Sequence, residues 1–510
     1  MHYPFWDMPF GYGILMAVIS IVHVFISHFA IGGGFYLVIT ETTARDKSDS
    51  QTLGYLERLS KFFVLVTLVP GALTGVGIWF IIGLLNPAAT ELLIHNFVWG
   101  WAIEWTFFLV EIASAIIYYY TWKTVSARTH LAFGWIYFVA AWLSLVVING
   151  IVAFMLTPGN WITTGNFWDG FFNPTYWSQL VFRTGICIML AGLYAMLVAS
   201  RYDPSPLKAR LVRMNAIWGL IGIILMAPSF LWYRNSIPEA IRTTASEIMP
   251  TPISALGYSY IFAAIITVLL IVFGLIIPKR QHIVTAIILM AFGLLYFGSF
   301  EWFRESIRKP YVVTGYMYGN ALEVRDADSY QTDGLLAHME FQTGDAGADL
   351  FRRVCRSCHT MNGYNALKPR FDGTDVSFIT AIVKGTDYMV GNMPPFLGTH
   401  EEAELIGAHI YSRIDHRHLS EIYGVEGVEL GKKVYDIRCG VCHVMGGYSD
   451  KTSSLEGLNE EDYHFMLDMA GEFGEEMPDF TGDDKERNAL VRYFLTLGKK
   501  QGGSDVSAGL

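Results

Sequence analysis

Cys355-Arg356-Ser357-Cys358-His359 and Cys439-Gly440-Val441-Cys442-His443 stand 84 residues apart in a chain of 510. Cys-x-x-Cys-His is the attachment signature of c-type haem: two thioethers tether the porphyrin and the following histidine becomes an axial iron ligand. Met393, in Asn392-Met393-Pro394-Pro395, follows Cys355 by 38 residues, and Met477, in Met477-Pro478, follows Cys439 by the same 38. A thioether on the far side of the iron raises its potential. Thr360-Met361-Asn362-Gly363-Tyr364 pairs with Val444-Met445-Gly446-Gly447-Tyr448 at the same offset. One such motif alone also fits a zinc or redox site. Two in register, each with a Met-Pro at one distance, describe an internal repeat of two small cytochrome c units. Cys355, Cys358, Cys439 and Cys442 would hold two covalent haem c groups. The expected iron ligands are His359 with Met393, and His443 with Met477.

The rest of the composition is that of a membrane protein. Hydrophobic residues make up 52% and charged residues 16%, and the mean hydropathy is +0.35, far from a soluble norm. The apolar residues concentrate before residue 304. The fifth cysteine, Cys187, lies in an apolar run and reads as a buried, inert thiol. No zinc spacing and no disulfide framework is visible. The first apolar run, from Gly11 to Ile39, is long and lacks a basic leader, so it reads as a helix that stays rather than a cleaved signal.

Eight runs are long enough to cross about 30 Å of hydrocarbon, which takes about 20 residues each. They lie near 11–40, 60–86, 96–121, 130–157, 175–200, 213–233, 256–277 and 283–303. One set of connections carries Arg45, Lys47, Arg58 and Lys61, then Lys123 and Arg128, then Arg201, Lys208, Arg210 and Arg213, then Lys279 and Arg280. The alternate connections near 87–95 and 158–175 carry no Lys or Arg. The positive-inside rule puts the basic set in the cytoplasm and both ends of the bundle outside. The expected location is the bacterial inner membrane, with the haem c units on the periplasmic side, where such haem is attached.

Polar groups inside spans are costly and usually functional. His23 and His28 in the first span are five residues apart, about 140° of helical rotation, so they do not share a face. Each is a candidate ligand for its own haem, or one is a hydrogen-bonded core histidine. Glu104 and Glu111, seven apart in the third span, lie two turns along one face. Buried carboxylates so spaced suit proton transfer or weak iron ligation, with a structural hydrogen bond as the bland alternative. Arg183 in the fifth span would pair with a haem propionate or with one of those carboxylates. Gly32-Gly33-Gly34 would admit a close helix or a flat macrocycle.

After the eighth span comes Glu305-Ser306-Ile307-Arg308-Lys309-Pro310-Tyr311. This Glu-x-x-Arg-x-Pro-aromatic sequence resembles the large, haem-bearing subunit of cytochrome bd oxidases. The first span from His23 to Thr40-Glu41, the segment Ala102-Ile103-Glu104 with Glu111, and Asn173-Pro174 are similar to that subunit too, over roughly residues 10–312. The resemblance implies that His23 ligates the haem in the oxygen-reacting position, that Glu305 ligates a neighbouring high-spin haem, and that Arg308 neutralises a propionate. It implies that Glu104 and Glu111 border the active haem or its proton route, and that the membrane haems are b, d or both. The departures matter. Arg183 stands where the family has a fifth-helix histidine, the seventh span offers no ligand methionine, Glu104 and Glu111 are one residue closer, and the quinol-handling segment, about 235–255, is short. The chain thus resembles the branch of the bd superfamily that carries cytochrome c modules and lacks the quinol site.

The expected fold is all-α: an eight-helix transmembrane bundle followed by two tandem class I-like cytochrome c domains. The expected divisions are 1–310 for the membrane domain, 311–340 for a polar surface linker, 341–420 and 421–500 for the two haem c domains, and 501–510 for a disordered tail. From residue 311 onward there are 18 basic and 32 acidic residues, a field suited to a basic soluble cytochrome or simply to solubility. Expected partners are membrane lipid, a second integral-membrane subunit and a periplasmic redox protein, with no nucleic acid. The expected function is oxygen reduction fed by c-type haems. The alternatives are a non-catalytic electron conduit in a larger respiratory complex, and nitric oxide reduction, for which no non-haem iron site of several histidines is visible.

Overall fold

The computed structural model describes residues 8–247, 249–474 and 477–501. Contact clustering divides it into two units: one of Leu15–Arg242 and Thr251–Arg308, the other of Lys309 onward together with the start of the chain to Ile14 and Thr243–Pro250. The expected boundary is 310, and the two units part between Arg308 and Lys309. Residues before Leu15 belong with the haem c unit because their backbone is taken there: Phe10 O accepts from Tyr364 N–H at 3.1 Å, and Met8 O from Arg356 at 3.1 Å.

The first unit contains eight helices long and apolar enough to cross a membrane: α1 (Tyr12–Asp46), α2 (Ser50–Leu85), α3 (Val98–Tyr120), α4 (Ala127–Phe154), α5 (Tyr176–Ala199), α6 (Pro206–Ser236), α7 (Thr251–Ile276) and α8 (Ile283–Ser306). Short helices Pro87–Asn96, Trp161–Thr164 and Phe167–Phe171 fill connections, and Glu239–Glu247 forms a helix in the brief 235–255 segment. The central span is α5, with 72% of its apolar window buried inside the protein.

Gly32-Gly33-Gly34 serves helix packing. A Cβ on Gly32 would collide with the Cys187 carbonyl of α5, one on Gly33 with Phe63 of α2, and one on Gly34 with the Tyr137 ring of α4. Three consecutive residues point in three directions around a helix, so one Gly triplet lets three neighbours close on α1. A buried polar thread ties the same helices. Tyr36 donates to Asn215 Oδ1 at 2.5 Å, Asn215 donates to the Tyr55 hydroxyl at 3.1 Å, and Tyr55 donates to the Ala195 carbonyl at 2.9 Å.

In the second unit the segment expected as a surface linker is folded. β1 (Tyr311–Val313) pairs antiparallel with β2 (Met317–Tyr318), and Tyr318, Leu322, Tyr330 and Leu335 enter the core of the first haem c module. Polar spacing hid these four apolar anchors. The modules follow: α9 (Ala346–Val354), α10 (Val376–Lys384) and α11 (His400–Tyr411), then α12 (Gly427–Val434), α13 (Glu460–Asp468) and α14 (Asp484–Gln501).

The 84-residue offset holds across the later helices of the two modules. α10 and α13 match end to end, the N-caps Asp375 and Asn459 correspond, and so do Thr399 and Asp483. Glu402 accepts from Leu335 N–H at 2.9 Å, and its counterpart Glu486 accepts from Leu419 N–H at 3.3 Å. The repeat thus begins at Leu335 and Leu419, ahead of the expected 341 and 421, because a carboxylate on the last helix pins the segment that leads in. The tail from Gly502 lies outside the described residues.

Candidate functional site

The two haem c motifs share one local geometry. His359 Nδ1 donates to the Asn365 carbonyl at 3.1 Å, and His443 Nδ1 to the Ser449 carbonyl at 3.0 Å. Asn365 and Ser449 both have φ of 49°, a left-handed turn that aims the carbonyl back at the ring. Each imidazole is fixed in the tautomer that leaves Nε2 as the lone-pair donor, the arrangement an iron ligand requires. Burial holds the His359 imidazole neutral by lowering its pKa to about 4, and it pushes the thiols of Cys355 and Cys439 up to about 12. Among the described residues the cysteine pairs belong to no group with metal-site spacing; that spacing occurs only at His418, Asp483 and Glu486, where both Glu486 oxygens are engaged by Arg438 and Leu419.

Met393 packs on the first module's core together with Cys355. Met477 is 36% exposed, with residues 475–476 before it outside the described set. The modules also meet. Val390 N–H, three residues before Met393, donates at 3.0 Å to the carbonyl of Val441 inside the second motif, and Val441 and Cys442 pack on the first module's core. Arg438, adjoining Cys439, donates to Glu486 at 2.9 Å and Thr481 at 2.9 Å in its own module and to the Gly373 carbonyl at 3.2 Å in the other.

Within the membrane unit His23 and His28 face different neighbours. α2 is interrupted by a π-turn, Thr67–Gly71, around Pro70, and His23 Nδ1 meets the Gly71 carbonyl and the Thr74 hydroxyl there, both at 3.2 Å. His28 Nδ1 donates to the Val24 carbonyl of its own helix at 2.7 Å. Its Nε2 is buried without a partner, and its ring lies 5.5 Å from that of Phe297 on α8.

Arg183 pairs with Glu301 at 3.4 Å, not with Glu104 or Glu111, because α5 turns it toward α8. Gln179, with its amide oxygen toward the guanidinium, accepts from Arg183 at 3.1 and 3.3 Å. Arg304 donates to Glu301 at 2.8 Å. Arg308 donates to the half-exposed Glu305 and, at 3.0 Å, to the Met155 sulfur. The expected Glu305 iron ligand and Arg308 propionate partner are therefore paired with each other here. Two guanidinium nitrogens, Arg304 Nη1 and Arg308 Nε, stay buried without partners, as does the Tyr233 hydroxyl. An unpaired buried donor is costly. The donor set, one imidazole Nε2 and two guanidinium N–H groups, fits a haem iron and its propionates. Glu301, Arg304 and Tyr233 had no part in the sequence reading; two opposite charges at i, i+3 inside an apolar span were the available signal.

Glu104 and Glu111 do share a face. Ser144 of α4 donates to Glu104 at 3.2 Å and also reaches Glu111.

Residues 14–235 match the family model of cytochrome bd terminal oxidase subunit I, and residues 342–411 match that of cytochrome c oxidase, cbb3-type, subunit III. No curated protein matches the chain. The structure of a bd oxidase from Geobacillus thermodenitrificans is similar, with a TM-score of 0.54 at 17% identity over 62% of this chain and 91% of that one. At that identity the likeness is one of fold. The chain is a multi-pass membrane protein, and the two matched regions, with the doubled attachment motif, imply haem cofactors that include covalent c-type haem.

Proposed function

We propose that this chain is a respiratory haem oxidoreductase that accepts electrons at its two haem c modules and reduces oxygen in its membrane unit. The observation that carries this reading is that, among the buried partnerless polar atoms of the membrane unit, His28 Nε2 offers a lone pair and Arg304 Nη1 and Arg308 Nε offer N–H groups. An apolar interior tolerates such atoms when a prosthetic group completes them. When bound, haem supplies one-electron chemistry and, where an iron position is open, oxygen binding and reduction.

The protein's own residues hold, orient and protonate. Cys355, Cys358, Cys439 and Cys442 tether the two haems c. His359 and His443, set by their Nδ1 bonds, would ligate the haem c irons together with Met393 and Met477. His23 and His28, facing α2 and α8 respectively, would each hold a separate membrane haem of b or d type. Arg183, Arg304 and Arg308 neutralise propionates, and Glu305 would be a candidate iron ligand once parted from Arg308. Glu104 and Glu111, joined through Ser144, hold protons for oxygen reduction. A second membrane subunit and a periplasmic donor complete the assembly, which sits in the bacterial inner membrane.

A reduced spectrum of the purified protein, with and without carbon monoxide, and a pyridine haemochrome count test this. The expected result is a CO-sensitive haem beside two haems c, with oxygen uptake. Membrane haems all blind to CO would make the protein an electron conduit instead.

A further inference from the structure

Glu41, near the end of α1 that carries the basic connections, is wholly buried, and so is His130 at the start of α4. Glu41 Oε1 accepts from Arg45 Nε at 2.6 Å and meets His130 Nδ1 at 2.8 Å, and Oε2 accepts from the Tyr118 hydroxyl at 2.7 Å. His130 Nε2 meets the Tyr118 backbone carbonyl at 2.9 Å. Both ring nitrogens therefore face acceptors. A neutral imidazole offers one N–H, so the pair holds one proton more than a neutral ring and a carboxylate would. Arg45, a quarter exposed, links this store to the aqueous end.

Tyr118 lies seven residues beyond Glu111, as Glu111 lies seven beyond Glu104. All three occupy one face of α3, at intervals of about 10 Å. Beside Tyr118 and Ala115, one turn beyond Glu111, the protein leaves a cavity of about 10 Å³, lined also by Tyr137, Gly34 and Gly134 among others. That is room for about one water; Tyr137 forms one wall, and its hydroxyl donates to the Ala30 carbonyl at 3.0 Å.

We propose that Glu41, His130 and Tyr118 form the proton intake for the line Glu111–Ser144–Glu104, through a water held in the Tyr118–Tyr137 cavity. This rests on the oxygen-reducing reading. For each electron that the donor delivers to oxygen, one proton enters at Glu41 from the side that carries the basic connections. It passes to the Tyr118 oxygen as that phenol releases its own proton to the cavity water, and the water gives one to Glu111. Oxygen leaves as water, and every relay group returns to its starting state.

The test uses the full-length holoprotein in lipid vesicles. Orientation is fixed by a membrane-impermeant reductant of the haems c, and pH dyes are placed on each side. Wild-type protein is expected to draw protons from the side opposite those haems. Tyr118→Phe and Glu41→Gln should slow proton uptake and oxygen consumption about tenfold or more and raise the solvent isotope effect, while anaerobic reduction of every haem proceeds unchanged. The infrared difference spectrum between oxidised and reduced protein should lose a carboxyl band in Glu41→Gln. If either polar variant fails to fold, Tyr137→Phe alters the cavity wall and leaves Glu41, His130 and Tyr118 in place, and the same slowing is expected. Unchanged rates and isotope effects, or a loss of thermal stability alone, overturn the intake. If the wild type consumes no oxygen, the proposed function falls and the intake with it; oxygen uptake at wild-type rates in the variants sinks the intake alone.

Discussion

A histidine nitrogen without a partner in an apolar interior is a specific physical complaint. His28 Nε2 is in that state, while Nδ1 is already bonded to Val24. If the atom were merely unsatisfied, His28→Phe would remove a penalty of about 1–3 kcal/mol and the haem content would stay whole. The expected outcome is the reverse. His28→Phe lowers the membrane haem content by one relative to the two haems c, in a haemochrome count on protein that remains folded and c-type by spectrum. The sequence placed His28 in the span but left its role open, since five residues of separation says only that it does not share His23's face. The Nδ1 bonds that fix its tautomer, and that of His359 and His443, are made to backbone carbonyls, and residue identity carries no record of those. Arg304 and Glu301 were visible as letters, yet their pairing with Arg183 depends on how α5 meets α8.

At the level of elements the 84-residue register explains more than the motifs that announced it. α9 crosses α11 at Gly347, and α12 crosses α14 at Gly431, its counterpart. A Cβ on Gly347 would come within 2.7 Å of the Leu405 carbonyl, and one on Gly431 would press harder still on the equivalent Ala489 carbonyl. Overpacking of this kind costs about 1–3 kcal/mol. Gly347→Ala and Gly431→Ala should each lower the melting temperature of the outer unit, Gly431→Ala by more, as followed through the haem absorption. Equal, negligible shifts would mean that the crossings relax.

The two modules also differ usefully. His409 stacks on Phe351 at 5.1 Å and accepts from Arg413 at 3.2 Å through Nδ1, where the second module has Tyr493. Burial, then Arg413, lowers its pKa to about 4. The folded value lies below the unfolded one of about 6.5, so between these values the unfolded chain takes up a proton that the fold refuses. Stability present above pH 6.5 is therefore lost as the pH falls toward 4. His409→Gln should flatten that part of the melting profile; an unaltered profile would show that other groups set the acid limb. The motifs made the repeat legible, but its true start was not: Leu335 and Leu419 look like ordinary apolar residues until Glu402 and Glu486 are seen to hold them.

At the scale of the whole molecule, what the sequence conveyed best was distribution. Eight apolar runs became eight spans because hydrocarbon thickness leaves little choice of length, and the charge asymmetry between the two parts of the chain is a plain count. The part from residue 311 onward carries 32 acidic against 18 basic residues. Exposed charges act on a docking partner over a Debye length, about 30 Å at 10 mM salt and about 8 Å at 150 mM. A basic soluble electron donor should therefore reduce the haems c several-fold more slowly as salt rises across that range, because steering affects encounter rather than the electron step itself. An acidic donor of similar potential should show the opposite slope. Stopped-flow reduction of the full-length protein at a series of ionic strengths separates the two. A flat dependence with both donors would mean that the acidic surface serves solubility and that electrons enter through an uncharged contact. The shared junction at Val390 and Val441 would then be the place to look for it, because there the first module's ligand loop and the second module's haem motif already meet.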